Sequence, residues 1–237
     1  MKLACTSGAL HRQIESGELT QLEFLDLCAR DLACDGIVLD VRHFPRTDDD
    51  YLAQIKKTLT DRGLSMAALS DSNFFTSSRE HMSAVLAWAV ALGAPLLAAP
   101  LGLEIALPWN DQLERIGTAT SLAKALNVTV AVRNAPHTFA ATTQDCKRVA
   151  KEGDSAWLRY GPEPQLLDAA SDPQVLQANT VLLWSDARMQ TDRSIAQTAE
   201  TFSEFRGHLV IDEAGGGASV TSLASSLRAW RVALTRG

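Results

Sequence analysis

Short apolar runs alternate with longer amphipathic segments along the whole chain, and this pattern predicts alternating strands and helices. In the run Val128–Arg133, successive side chains of a strand point to opposite faces, so Arg133 shares a face with Thr129 and Ala131. The other face carries only valines, as in a strand buried under helices. The predicted strands are Leu3–Thr6, Gly36–Arg42, Ser65–Ser70, Pro95–Ala99, Val128–Arg133, Ala156–Tyr160, Thr180–Trp184 and His208–Asp212.

The segments between these strands have helical spacing and carry residues that mark helix boundaries. Thr20 followed by Glu23 is the pattern of a capping box, and Gly63 and Gly93 are stop signals. One segment is interrupted near Pro173. The predicted helices are Thr20–Leu32, Asp48–Arg62, Ser77–Gly93, Asn110–Leu126, Thr142–Lys151, Gln165–Gln177, Ser194–Phe205 and Val220–Leu234.

Eight strands that alternate with eight helices predict a parallel sheet, because each helix returns the chain to the same end of the sheet. Because eight strand–helix units account for the whole sequence, their number favours a closed barrel over an open, doubly wound sheet. The fold class is therefore α/β, a single (β/α)8 TIM barrel domain at 1–237. In such barrels the chemistry lies at the carboxyl-terminal ends of the strands.

The composition of the chain limits which kinds of molecule it is expected to bind. The net charge is −6 and no basic run is present, so nucleic acid and anionic membrane surfaces are not expected as partners. No apolar run reaches the length of a membrane-spanning helix. The four cysteines show no CxxC spacing, and buried free thiols in a reducing cytoplasm are the simplest interpretation. The sequence is compatible with an oligomer as well as with a monomer.

Four strand ends resemble motifs of the xylose isomerase-like barrels. These are GIVLD at the second strand, VAVRNAPHTFAATT at the fifth, SDAR at the seventh and GHLVIDEAG at the eighth. That superfamily contains sugar isomerases and epimerases, inosose dehydratases and AP endonucleases of the endonuclease IV type. The resemblance implies a small-molecule enzyme that acts on a polyol, sugar or sugar acid.

The resemblance also implies one divalent metal, held by Glu, Asp, His and Glu on the fifth to eighth strands. In this chain the first position is Arg133 and the second falls near Gly161. The third falls on Leu183 or Trp184, and only Asp212 matches conservatively at the fourth. An arginine beside one carboxylate repels a cation, so we expect no metal and no other cofactor.

Arg133 is the centre of the predicted site, with Asp40, Arg42 and Asp212 also near the mouth of the barrel. A buried arginine needs an anionic partner, so Arg133 pairs with Asp212 or Asp40 and forms an inert ionic plug, or it binds a substrate carboxylate or phosphate. Both can hold together. The further candidates are Glu213 and His137 for acid–base chemistry, and Asn134, Arg159, Tyr160, Trp184 and Asp186 for substrate binding.

Each further candidate also has a structural interpretation. His137 and His43 follow strand ends and can serve as general acid or base, or only cap a loop. Trp109, like Tyr160 and Trp184, can stack on a sugar or pack under loops. The run Gly215–Gly217 precedes a helix and can cradle an anion or form a turn. His11, His81 and His208 carry no motif.

Two functions follow from this pattern. The first is an isomerase or epimerase that works without the metal, with Arg133 as electrophile and Asp212, Glu213 or His137 as base. The second is a non-catalytic binding or regulatory barrel descended from such an enzyme. In both, the expected partner is a small molecule that carries a negative charge or is a neutral sugar.

Overall fold

The computed structural model describes residues 1–167 and 173–236, and it contains all eight predicted strands. The strands are β1 (Lys2–Thr6), β2 (Gly36–Asp40), β3 (Ser65–Ser70), β4 (Leu96–Pro100), β5 (Thr129–Arg133), β6 (Leu158–Tyr160), β7 (Leu182–Asp186) and β8 (His208–Asp212). The predicted bounds of β3 and β8 are met at both ends.

The helices are α1 (His11–Glu15), α2 (Gln21–Arg30), α3 (Asp49–Asp61), α4 (Arg79–Leu92), α5 (Trp109–Leu126), α6 (Thr143–Gly153), α7 (Asp192–Thr201) and α8 (Val220–Arg236). Their boundaries follow the expected capping chemistry. Thr20 and Glu23 form the predicted capping box of α2, and Gly93 ends α4 in the left-handed conformation. Among the described residues no helix is both long and apolar enough to cross a membrane.

The strands form one parallel sheet in the order β6-β5-β4-β3-β2-β1-β8-β7. The two outermost strands approach each other through a parallel bridge between Tyr160 and Thr180. The sheet is therefore a nearly closed barrel, and the prediction of a single (β/α)8 TIM barrel is confirmed.

The core has two layers. The interior of the barrel is filled mainly by alanine and valine, including Ala131 and Val210, with Trp184 as the largest side chain. A larger apolar layer lies between the sheet and the helices, and it contains Val130 and Val132 of β5. The predicted alternation of β5 is thus confirmed, and it carries Arg133 to the inward face at the carboxyl-terminal end. All four cysteines are buried and free.

Two predictions about helices are wrong. The sequence pattern missed the short helix α1, which continues directly from a 3-10 turn, Ser7–Leu10, after β1. In its described parts the predicted helix Gln165–Gln177 is two 3-10 segments, Pro164–Leu166 and Pro173–Asn179, and the second begins at Pro173, where the interruption was predicted. The part of that prediction at 168–172 lies outside the described residues.

Candidate functional site

Arg133 lies between two carboxylates at the mouth of the barrel. Its Nη1 donates to Asp212 Oδ2 at 2.7 Å and its Nη2 donates to Glu163 Oε2 at 2.8 Å. The guanidinium carbon lies 4.1 Å from the centre of the Trp184 ring, on which the guanidinium stacks. The predicted pairing of Arg133 with Asp212 is confirmed, and the side chain remains 23% exposed.

Glu163 was not predicted as a site residue. It follows β6 by three residues, and its side chain is only 3% exposed. Asn134 holds its backbone, because the amide oxygen of Asn134 accepts the Glu163 N–H at 2.6 Å and the amide nitrogen donates to the Glu163 carbonyl at 3.3 Å. Asn134 therefore positions Glu163, and each of its two amide atoms makes one of these hydrogen bonds. An acidic residue flanked by Pro162 and Pro164 was the available sequence signal.

Arg133, Asp212 and Glu163 form a cluster, called the Arg133 cluster below, with one basic group and two acidic groups. Burial raises the pKa of Glu163, the facing Arg133 offsets this in part, and Asp212 and Asp186 raise it again. Burial acts to lower the pKa of Arg133, but its two carboxylate partners more than compensate, so that this pKa lies above its ordinary value. Arg133 is thus a permanent cation, while Glu163 is the member of the cluster most ready to hold a proton.

Two further strand-end carboxylates each hold an arginine two residues later. Asp40 accepts from the backbone N–H of Arg42 and from its guanidinium at 2.7–3.0 Å. Asp186 makes the same arrangement with Arg188 at 2.8–3.4 Å, and it also accepts the Ala214 N–H. Burial opposes ionisation of Asp186, but these hydrogen bonds lower its pKa. Asp40 therefore pairs with Arg42 and not with Arg133.

Two predicted substrate-binding residues lie away from the mouth of the barrel, and a third is buried beneath Arg133. Tyr160 faces the helix layer, where its hydroxyl donates to the carbonyl of Cys146, because it aligns with the outward Val132. Arg159 turns back to the amino-terminal end of β6 and donates to the carbonyls of Ser155 and Leu158. Trp184 does point inward, but it is buried and one face of its ring is covered by Arg133.

The predicted acid–base residues Glu213 and His137 differ in their positions. Glu213 is half-buried next to Asp212, and its N–H donates to Asp212 Oδ1 at 2.8 Å. His137 is exposed in the loop after β5, and its carbonyl accepts the N–H of Glu104 from the loop after β4. No hydrogen bond among the described residues joins the His137 ring to the Arg133 cluster. Trp109 packs outside the barrel and donates to Glu152.

The glycine run packs against α1. The Arg12 N–H donates to the Gly216 carbonyl at 2.9 Å, and the Ala218 N–H donates to the Ala9 carbonyl at 3.0 Å. Gly216 has φ +63°, and a Cβ added there would lie 2.5 Å from His11 Cβ. The run therefore fastens the loop after β8 to α1, and its predicted role in anion binding stays a prediction.

We expect Gly216→Ala to lower the free energy of unfolding by about 1–3 kcal/mol, because it combines a left-handed backbone with a steric clash. Urea denaturation measures the loss. Gly217→Ala is the matched control, since its φ is ordinary and the nearest atoms belong to the flexible Arg12 side chain at 3.4 Å. Equal stability of the two variants would contradict the prediction.

The side chains at the mouth do not fit the metal that the family resemblance implies. In the part of the chain that the structure describes, no group of three or more His, Cys, Asp or Glu side chains is placed to hold a metal ion. Asp212 and Glu163 are both directed at the guanidinium of Arg133. A divalent cation between them would lie against a fixed positive charge.

Solved structures provide the comparison for this fold. D-psicose 3-epimerase from Clostridium cellulolyticum H10, crystallised with D-tagatose, superimposes with a TM-score of 0.77 at 12% identity over 99% of both chains. L-ribulose 3-epimerase superimposes with a TM-score of 0.79 at 16% identity over 99% of this chain and 95% of the other. A fusion of a xylose isomerase-like TIM barrel with 4-hydroxyphenylpyruvate dioxygenase gives 0.74 at 14% identity, over 100% of this chain and 44% of the fusion.

This chain has the same (β/α)8 barrel fold as these structures. No protein-family model matches the sequence, and no curated protein matches it. At these identities the likeness establishes the fold alone. The activity of this barrel therefore has to be inferred from its own side chains.

Proposed function

We propose that this xylose isomerase-like barrel acts on a small polyol, sugar or sugar acid at its carboxyl-terminal face, as an isomerase or epimerase that needs no divalent metal. The observation that carries the proposal is the position of Arg133 between Asp212 and Glu163. This places an electrophile and two carboxyl groups with different environments around one point, as proton transfer next to a carbonyl requires.

The proposed step assigns one role to each of the three side chains. Asp212 removes the proton from the carbon next to the ketone, and the electron pair moves onto the carbonyl oxygen. Arg133 stabilises that developing negative charge, because its half-buried guanidinium is a fixed cation at the mouth of the barrel. Glu163 binds a proton once the substrate displaces it from Arg133, and it returns that proton to the carbon. The raised pKa of Glu163 and its contact with Arg133 support this assignment.

Deuterium incorporation tests the proposal. The protein is incubated in D2O with a panel of 2-ketohexoses, 2-ketopentoses and inososes, and proton NMR follows the loss of the signal next to the carbonyl. We expect exchange with at least one of these compounds, and its loss in Asp212→Asn and Glu163→Gln. Arg188→Gln is the control, because its guanidinium pairs with Asp186 outside the cluster. Absence of exchange with every compound would overturn catalysis.

The second candidate function is a non-catalytic binding or regulatory barrel. Arg133 already has two carboxylate partners, which is the arrangement expected of an ionic plug. A compound that raises the melting temperature without any deuterium incorporation would favour this alternative. The two functions thus give different results with the same panel.

We expect the purified protein to carry no stoichiometric divalent metal, because Arg133 occupies the space between the carboxylates. Chelators should leave its melting temperature unchanged. Elemental analysis after dialysis against Mn²⁺ and Mg²⁺ measures the content. About one bound ion per chain, lost in Asp212→Asn, would contradict the prediction.

A further inference from the structure

A chain of hydrogen bonds runs from a buried serine to the surface of α1. Ser7 Oγ lies 2.8 Å from His43 Nδ1, and His43 Nε2 lies 2.9 Å from His11 Nδ1. His11 Nε2 lies 3.4 Å from the carboxylate of Glu15, which is 73% exposed. Ser7 and His43 are buried. The chain therefore joins a hydroxyl inside the protein to a carboxylate in solvent.

The geometry restricts where the protons lie. Ser7 Oγ accepts the N–H of Asp40 at 2.9 Å, which leaves its own proton free to be donated. The facing nitrogens of His43 and His11 need one proton between them, so both neutral rings must adopt the same tautomer. Two tautomeric states result, and they differ by the shift of one proton along the hydrogen-bonded series. His11 Nε2 donates to Glu15 in one of them, whereas the other needs a proton on Glu15.

The inner end of the chain lies beside the Arg133 cluster. Ser7 follows β1 directly, and a Cβ added to its neighbour Gly8 would lie 3.8 Å from Asp212 Oδ1. Asp40 and Arg42 are the charged groups around the buried ring. Burial lowers the pKa of His43 to about 4, with Arg42 and His11 acting in the same direction and Asp40 and Glu15 opposing it. The ring is therefore neutral at neutral pH.

The proposed reaction creates a need for such a chain. Each turnover leaves Asp212 protonated and Glu163 ionised, so one proton must leave Asp212 and another must reach Glu163 before the next turnover. Asp212 is buried at the mouth of the barrel. A path through the protein lets these protons move while a bound ligand still covers the mouth.

We propose that Ser7, His43, His11 and Glu15 form a proton relay between the mouth of the barrel and solvent. The catalytic role of the relay rests on the proposed function, whereas the hydrogen-bonded path itself does not. A proton from Asp212 passes through a water molecule to Ser7 Oγ, as Ser7 gives its own proton to His43 Nδ1. His43 Nε2–H then passes to His11 Nδ1, and His11 Nε2–H passes to Glu15, which releases it to water. One proton enters and one leaves, no charge is added to either ring, and both rings change tautomer. A proton that Glu15 then takes from water runs the same steps in reverse, restores both tautomers and reaches Glu163 through a water molecule.

Nitrogen-15 NMR of the full-length protein tests the relay without any substrate. We expect His43 to be neutral near neutral pH and, whenever the His11 ring is also uncharged, the two rings to show the same tautomer. In Glu15→Gln, exchange of the His43 ring proton with water should slow by about tenfold or more, because the outer acceptor is lost. Glu18→Gln is the matched control, because Glu18 is exposed like Glu15 but makes no hydrogen bond to the relay residues, all of which lie in the described part of the chain. It should leave the exchange rate unchanged.

A second Ser–His pair controls for local structure. Ser65 Oγ lies 2.9 Å from His208 Nε2 at the opposite end of the barrel, and burial lowers the pKa of His208 as well. Its ring-proton exchange should not respond to Glu15→Gln. Opposite tautomers in His11 and His43, a charged His43, or an unchanged exchange rate in Glu15→Gln would each overturn the relay.

Turnover separates the relay from the proposed function. If the wild type incorporates deuterium into a ketose, His43→Gln should lower kcat at unchanged KM, and added imidazole buffer should restore part of it. An unchanged kcat would overturn the catalytic role of the relay. If no ketose exchanges while the NMR results are as expected, the proposed function fails and the relay stands.

Discussion

Replacement of Arg133 by methionine is expected to lower the free energy of unfolding by about 3–5 kcal/mol, because it strands buried charge. The guanidinium is the shared partner of Asp212 and Glu163, and both carboxyl groups lie mainly out of solvent. Methionine has an apolar side chain similar to the aliphatic part of arginine. The loss of stability therefore measures the removal of the positive charge and not the creation of a cavity. Urea denaturation at neutral pH measures it.

Two further variants identify the cause of that loss. Lys57→Met removes a cation from the exposed pair with Asp61 and should cost under ~1 kcal/mol. The triple variant Arg133→Met/Asp212→Asn/Glu163→Gln removes the stranded charges and should recover much of the stability. A loss for Arg133→Met as small as that for Lys57→Met would mean that solvent screens the cluster.

The fold was predictable because strand and helix periods are local properties of the sequence. Val128–Arg133 alternates strictly, and Thr20 with Glu23 marks a helix start by a short-range hydrogen bond. Eight strand–helix units in a row are typical of a closed barrel, so the fold follows from their number. The short α1 was missed because it lacks a side-chain cap and has no buried residue, so no apolar period marks it.

The site was predictable only where a side chain ends a strand. Arg133 and Asp212 are each the last residue of their strands, and alternation brings both to the mouth. Glu163 lies in a loop, and its position depends on Asn134, which belongs to another unit. Tyr160 was misplaced because β6 has only three residues, too few to reveal which face its side chains share. The relay joins Ser7 to His43 across two units, so no sequence spacing reveals it.

The central cluster also bears on which ligand binds and under what conditions. Arg133 carries one positive charge against the carboxyl groups of Asp212 and Glu163. A ligand carboxylate that takes the guanidinium must displace one of them. Asp212 keeps the N–H of Glu213, whereas the carboxyl group of Glu163 has Arg133 as its hydrogen-bond donor. Glu163 is therefore the group that yields.

Binding of an acidic sugar is accordingly expected to take up about one proton, so that its affinity rises up to tenfold for each unit of decrease in pH. The sign follows from Glu163: burial already raises its pKa, and loss of Arg133 to the ligand raises it further. An ionised carboxylate left buried without its cation is too costly to persist, so it binds a proton. The effect lasts until the ligand itself becomes protonated.

Calorimetric titration of gluconate, with sulfate as a second anion, in buffers of different ionisation enthalpy measures this uptake. Glu163→Gln should bind gluconate more tightly than the wild type and without dependence on pH, because its side chain stays neutral and needs no proton. Sorbitol is the matched neutral ligand and should bind without proton uptake. If gluconate binds equally well to Arg133→Met, or if only sorbitol binds, Arg133 is no ligand-binding residue and the cluster is an ionic plug. Arg133 then stabilises the barrel in place of recognising an anion.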